Sequence, residues 1–183
     1  VDNFNGDSYH APWAHRSISD VGLGGDNTNE ITTTEEKYKA HRHVRCNGHS
    51  ASWRGIRDDD VFLSYPPELR ELITPDGLTD GQYELARKSP GWSGAIFPNL
   101  GFLYHGDLTD DPRKGKGPFF TIRKWRPVGP DTTEIWSWSF VPKEASEEYK
   151  ARMNKIYTAN FGPSGNFEQD DTPIWESITE MAD

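Results

Sequence analysis

Two histidines, His10 and His15, stand five residues apart behind Asn3 and Asp7 in the opening stretch VDNFNGDSYHAPWAH. At 3.6 residues per turn, that interval puts the two imidazoles about 140° apart around an ideal helix, too far round to meet. Asn3, Asp7 and His10 instead share one stripe, at i, i+4 and i+7. Pro12 lies between the histidines. Its ring removes one helical hydrogen bond and pushes Ala11 away from helical ψ, so a break there swings His15 towards His10. The stretch reads as a kinked helix that aims two neutral imidazoles at one point. Two imidazoles and one carboxylate, with coordination positions left open, make the donor set of a mononuclear non-haem Fe(II) centre that activates O₂.

The carboxylate has several candidates. Asp7 is near in sequence but lies one turn before His10, where it suits a hydrogen bond to the imidazole rather than the metal. At the far end of the chain, FEQDD offers Glu168, Asp170 and Asp171. By local rules Asp170 and Asp171 simply favour the N-terminus of a helix whose first turn holds Pro173. A second cluster, His41, His43, Cys46 and His49, invites a zinc or iron–sulfur reading. The chain has one Cys, so no [2Fe–2S] centre forms here from this chain alone. Strand alternation also sends His41 and His43 to the face opposite Cys46, so this cluster reads as structural. His105 either lines a pocket or ends a strand. Gly22 to Gly25 lack the strand and the Lys-Ser/Thr pair of a phosphate loop, and no hydrolase motif is present.

The elements that must position these groups follow from composition and pattern. At 183 residues and 33% hydrophobic, the chain is expected to form one domain with a sizeable core. Seven Trp, seven Tyr and nine Phe argue against disorder and suit a pocket for a flat apolar ligand. A net charge of −9, with no Lys/Arg run, argues against nucleic acid, and no apolar stretch reaches the ~20 residues that span a bilayer. The lone Cys46 and the lack of a visible signal peptide point to a reducing, bacterial-type cytoplasm. The abrupt start and end read as a piece of a larger polypeptide.

Along the chain, residues 16–34 are polar and Gly/Asn-rich and read as a loop. Residues 37–46 alternate as a half-buried strand, Asn47-Gly48 marks a hairpin, and HSASW returns. Residues 66–89 are expected to be helical, with Thr79 and Gln82 at capping-box spacing. Strand-like runs follow in GAIFPN, LGFLYHG, PFFTIRKW and TTEIWSWSFV. Residues 143–160 form an amphipathic helix with Tyr149, Met153, Ile156 and Tyr157 on one stripe. A glycine-containing bend then leads into the last helix. Strands joined by short turns, with helices packed on them, make an α+β fold with an antiparallel sheet.

NFNGDSYHAPWAH resembles the iron-site helix of the Rieske-type aromatic-ring-hydroxylating oxygenases, whose large (α) subunits carry N-x-x-x-D-x-x-H-x-x-x-x-H. FGPSGNFEQDD is similar to the segment that brings the third ligand in that family, and IFPNLGF with WRPVGPDTTEIWSW resembles its sheet strands. The resemblance spans nearly the whole chain. It implies a helix-grip fold, with a curved antiparallel sheet and helices enclosing a pocket. It also implies a mononuclear Fe(II) held by His10, His15 and Asp171. Asp7 falls on the bridging aspartate, which links an iron-bound His to a Rieske-cluster His of a neighbouring subunit. Asn3 matches an asparagine beside the iron, and Phe4, Phe161 and Phe167 match pocket positions, although Phe161 and Phe167 serve a core equally well.

The implied reaction adds both atoms of O₂ to an aromatic ring to give a cis-dihydrodiol. Electrons would come from NAD(P)H through a reductase or ferredoxin and a Rieske [2Fe–2S] cluster that the complete subunit would carry. Residues 1–183 would then be the catalytic domain alone, and α subunits would assemble as trimers, often with small β subunits. Two rival readings use the same residues. One is a metal-free helix-grip module that carries an apolar ligand, and the other is a zinc-dependent hydrolase, since zinc also accepts carboxylate.

Overall fold

A computed structural model of the chain describes residues 10–16, 42–54, 58, 60–106 and 118–181. Its sheet starts at a tight turn, where Asn47 and Gly48 adopt φ of 51° and 80°, as a two-residue type I′ hairpin requires. This turn joins β1 (Arg42–Cys46) to β2 (His49–Arg54). The rest of the expected first strand, residues 37–41, and nearly all of the expected loop lie outside the described residues. The sheet continues through β3 (Gly91–Ile96), β4 (Leu100–His105), β5 (Phe119–Pro127) and β6 (Thr133–Phe140). Each strand pairs antiparallel with the next, giving the six-stranded order β1-β2-β3-β4-β5-β6. The α+β expectation holds.

Period-two alternation sorts the sheet into two faces. On β5, Phe119, Thr121, Arg123 and Trp125 are buried, while Phe120, Ile122 and Lys124 point the other way. The opposite face carries a row of aromatic register partners, Trp53, Trp92, Tyr104, Phe120 and Phe140. Tyr104 is covered there by Tyr65, with ring centroids 5.7 Å apart, and its hydroxyl donates to the Leu63 carbonyl at 2.6 Å.

The region expected to be helical between residues 66 and 89 is two helices, α2 (Pro67–Arg70) and α3 (Asp80–Lys88). α2 stops at its C-cap, Glu71, and between the two helices the chain turns through Gly77 at φ 77°, a left-handed backbone state that glycine adopts freely. α3 restarts on the expected capping box, with the Thr79 hydroxyl accepting from Gln82 N–H and the Gln82 side chain accepting from Thr79 N–H. Such a cap contributes about 0.5–2 kcal/mol.

Two long helices follow. α4 (Glu147–Phe161) begins at the Ser146 cap, a few residues later than expected, and its Met153 is fully buried. α5 (Asn166–Met181) begins well before Pro173, which corrects the expectation that Pro173 occupies its first turn. An interior proline costs about 3 kcal/mol, through one lost hydrogen bond and a clash with the carbonyl four residues back. Here Gln169 and Pro173 are both exposed, so the affected carbonyl lies on the solvent side. Phe167 and Trp175 are half-buried on the other side, and burying such side chains returns about 1.5–3 kcal/mol each when complete. The bend into α5 depends on Gly165, where a Cβ would come within 2.4 Å of the Asn160 carbonyl. Phe119, Trp125 and Phe161 form the core where these helices meet the sheet, with Phe167 and Tyr157 packed against it.

Candidate metal centre

Residues from near the two ends of the chain meet at one site. α1 (His10–Ala14) is helical straight through Pro12, and the chain leaves the helix only at His15. The expected break at Pro12 is therefore not seen. Proline's fixed φ is itself helical, so the residues that follow it can continue the turn. The change of direction at His15 still brings the two rings together, with centroids 5.3 Å apart and planes at 81°.

Asp171 meets them from α5. One donor atom from each of His10, His15 and Asp171 lies within 4.8 Å of the other two. His15 and Asp171 are buried and His10 is half-buried. Each of the three acids of FEQDD has a separate partner or direction. Glu168 pairs with Arg123 on β5, and Asp170 Oδ2 lies 3.2 Å from His15 Nδ1. Asp171 Oδ1 lies 3.5 Å from His15 Nε2. A helix turns about 100° per residue, so adjacent Asp170 and Asp171 approach the one imidazole from its two sides.

That arrangement fits a cation. A carboxylate only accepts, so Asp170 fixes the proton of His15 on Nδ1 and leaves a lone pair on Nε2. Opposite that lone pair stands Asp171 Oδ1, which is buried and has no hydrogen-bond partner among the described residues. Two facing lone pairs in a dry site repel one another unless a positive charge sits between them. Burial lowers the pKa of His15 more than the nearby Asp171 and Asp170 raise it, which favours the neutral, ligating imidazole. Burial also raises the pKa of Asp171, against the pull of His15 and His10, so an ionised Asp171 without a cation is costly.

A series of rings leads away from the group. Phe167 meets His15 edge-on at 4.6 Å, Phe161 stacks on Phe167 at 5.4 Å, and Phe119 packs on Phe161 at 5.5 Å. His105, the last residue of β4, stacks on Phe119 at 5.7 Å. Phe161 is thus a core residue, while Phe167 stands between the core and the histidines. Asn3, Phe4 and Asp7 lie outside the described residues, as does His41. In the second histidine cluster, His49 Nδ1 accepts from Phe97 N–H at 3.0 Å, and Cys46 is exposed. His49 fastens a turn.

The sequence named Asp170 without its role and did not single out Arg123. Asp170 had a signal, since a ligating imidazole needs an acceptor for its second nitrogen. Arg123 also had one, as a charge on the alternation of β5 that carries Phe119, Thr121 and Trp125.

Residues 1–182 match the family model described as ring hydroxylating alpha subunit (catalytic domain). The chain is 27% identical over 182 residues to the N,N-dimethyl phenylurea N-demethylase subunit alpha of Sphingobium sp. (strain YBL2), covering 99% of this chain and 39% of the relative. It is 25% identical to the large oxygenase component of the naphthalene 1,2-dioxygenase system of Pseudomonas aeruginosa, covering 100% of this chain and 39% of that one. The crystal structure of naphthalene 1,2-dioxygenase from Rhodococcus sp. bound to indole superposes with a TM-score of 0.78 at 31% identity, over 98% of this chain and 40% of that chain. The chain thus spans about two fifths of the length of these relatives. With the matching fold and the family match over residues 1–182, the chain belongs to the ring hydroxylating alpha subunit family, as a catalytic domain.

Proposed function

We propose that residues 1–183 are the catalytic domain of the large subunit of an aromatic-ring-hydroxylating dioxygenase. The reaction joins an arene, O₂, NAD(P)H and a proton into a cis-dihydrodiol and NAD(P)⁺. The observation that supports this most directly is the convergence of His10, His15 and Asp171, whose Oδ1 has no hydrogen-bond partner among the described residues. Fe(II) held by these three residues would supply O₂ activation, because one carboxylate and two imidazoles leave coordination positions open.

The chain's own residues have definite tasks on this reading. Asp170 keeps the proton of His15 on Nδ1 and so frees Nε2. Phe167 closes one side of His15 with an apolar edge, which suits a flat hydrocarbon held near the centre; Phe161 backs it from the core, and Phe4 extends the aromatic lining. Asp7 takes the bridging role between His10 and the Rieske cluster of a neighbouring large subunit, with Asn3 beside the metal. The complete subunit would carry that [2Fe–2S] cluster and receive electrons through a reductase or ferredoxin. Its large subunits would form trimers, with small β subunits in many assemblies, in a bacterial cytoplasm. No helix among the described residues is long and apolar enough to cross a membrane.

The test is product analysis with the complete oxygenase, its electron donors and ¹⁸O₂. The substrate panel holds arenes, aryl acids and an N-methyl aryl urea, because one relative is named for N-demethylation. A cis-dihydrodiol carrying two labelled oxygens is the expected product. Turnover that proceeds without O₂, or that labels no product, would overturn the reading.

A further inference from the structure

Arg123 is a charged side chain only 2% exposed, on a strand face otherwise built from Phe119, Thr121 and Trp125. Its Nη2 donates to both carboxylate oxygens of Glu168 at 2.7 Å, and its Nε donates to Ser137 Oγ at 2.8 Å. Ser137 is its register partner on β6. The guanidinium also lies 5.6 Å from the ring of Phe161 on α4 and 5.9 Å from that of Trp175 on α5. Two strands and two helices therefore converge on one cation.

The spacing along α5 gives this junction its bearing on the site. Glu168, Asp171 and Trp175 fall at i, i+3 and i+7 and share one stripe. Arg123 touches the first and the last of the three, so Asp171 lies between the two points where α5 is fastened to the sheet. Rotating the helix by one residue, about 100°, would carry Asp171 off the histidines. A lysine ammonium cannot reproduce the forked contact with Glu168 together with the bond to Ser137. A hydrophobic anchor would hold α5 against the sheet but would leave rotation and height less sharply set, because apolar contact is not directional.

We infer that Arg123 is a positioning residue for the metal centre, acting through its paired contact with Glu168 to set the rotation of α5 that presents Asp171 to His10 and His15. The inference rests on the proposed metal-binding role of those three residues.

Charge separates this role from a general electrostatic one. Arg123→Met leaves Glu168 unpaired and makes the surroundings more negative, which by field alone would tighten cation binding. Positioning predicts the opposite. The experiment is anaerobic Fe(II) titration of the metal-free full-length subunit, in its assembled oxygenase, with the thermal unfolding midpoint measured on the same samples. Both Arg123→Met and Glu168→Gln are expected to weaken Fe(II) binding about 10–100-fold, the usual effect of losing a residue that orients a ligand.

The double variant Arg123→Met/Glu168→Leu leaves no unpaired buried charge, so its unfolding midpoint should return towards that of the parent. Its Fe(II) affinity should stay weak. Parent-like or tighter binding by Arg123→Met would overturn the inference, as would a double variant that regains parent affinity along with stability. Asp171→Asn is the control: if it binds Fe(II) as the parent does, the metal reading of the site fails, and the inference falls with it. If Asp171→Asn loses Fe(II) while the Arg123 variants do not, only the inference fails.

Discussion

His15 Nδ1 lies 3.2 Å from Asp170 Oδ2, a contact between residues 155 positions apart. It fixes which nitrogen of the imidazole can bind a metal. Asp170→Ala removes the acceptor, so the ring is free to turn or to take the other tautomer. Fe(II) affinity should fall about 10–100-fold while saturating iron still fills the site. Asp170→Asn keeps an amide oxygen that can accept, and it should fall less. Anaerobic titration of the metal-free protein reads both, and unchanged affinity in Asp170→Ala would remove Asp170 from the site.

Either histidine alone should prove indispensable. With His10→Ala or His15→Ala, two donors remain from the group of three, and water competes successfully for the metal. Neither variant should hold stoichiometric iron after dialysis, as measured by metal analysis. Full iron in either one would cancel its assignment as a ligand.

Asp171 sets function against stability. Burial raises its pKa above the ordinary carboxylate value, so the folded metal-free protein binds a proton there more readily than the unfolded chain does. The linkage is then adverse: stability is lost as pH rises through the shifted pKa and the carboxylate ionises in a dry site. Asp171→Asn removes that loss. The metal-free variant should melt higher than the metal-free parent at neutral pH, with the gap closing below the unfolded pKa near 3.8. Added Fe(II) should stabilise the parent and not the variant.

His15 has the opposite sign. Its pKa is lowered from 6.5, so its contribution to stability is present above 6.5 and is lost as pH falls through that value towards the folded pKa. Thermal melts of the metal-free protein across pH 4–8 check both statements. A parent and an Asp171→Asn variant with parallel profiles would refute the first.

The bridging role proposed for Asp7 separates electron delivery from metal binding. If Asp7 bridges as proposed, Asp7→Asn keeps the size and one acceptor but weakens the charge-assisted hydrogen bond which that role requires. In the complete oxygenase, the variant should retain iron and lose most NAD(P)H-driven product. Peroxide-driven turnover should fall much less, since peroxide supplies the oxidant without the cluster. Iron content and both activities on one preparation decide the matter. Equal loss of the two activities would make Asp7 part of the chemistry instead.

What the sequence determined by itself was periodic and local. Strand-like runs between turn signals placed β2 to β6, with β3 starting three residues earlier than its run, and Asn47-Gly48 named its turn because few residue pairs accept two positive φ angles. Thr79 and Gln82 announced their own cap. The types and spacing of His10, His15 and the acids at 168–171 named a metal chemistry before any fold was known.

What only the tertiary structure decided depends on contacts between distant segments. Local rules put Pro173 at a helix start, because proline fits there at little cost. Packing of Phe167 and Trp175 against the core carries α5 back to Asn166 instead, with the proline on the solvent side. Only that longer helix distributes Glu168, Asp170 and Asp171 to Arg123, to His15 Nδ1 and to the histidine pair. The division among three neighbouring acids is a matter of angle around one helix axis. That angle is set by a buried arginine 45 residues away in the chain, and no local pattern encodes it.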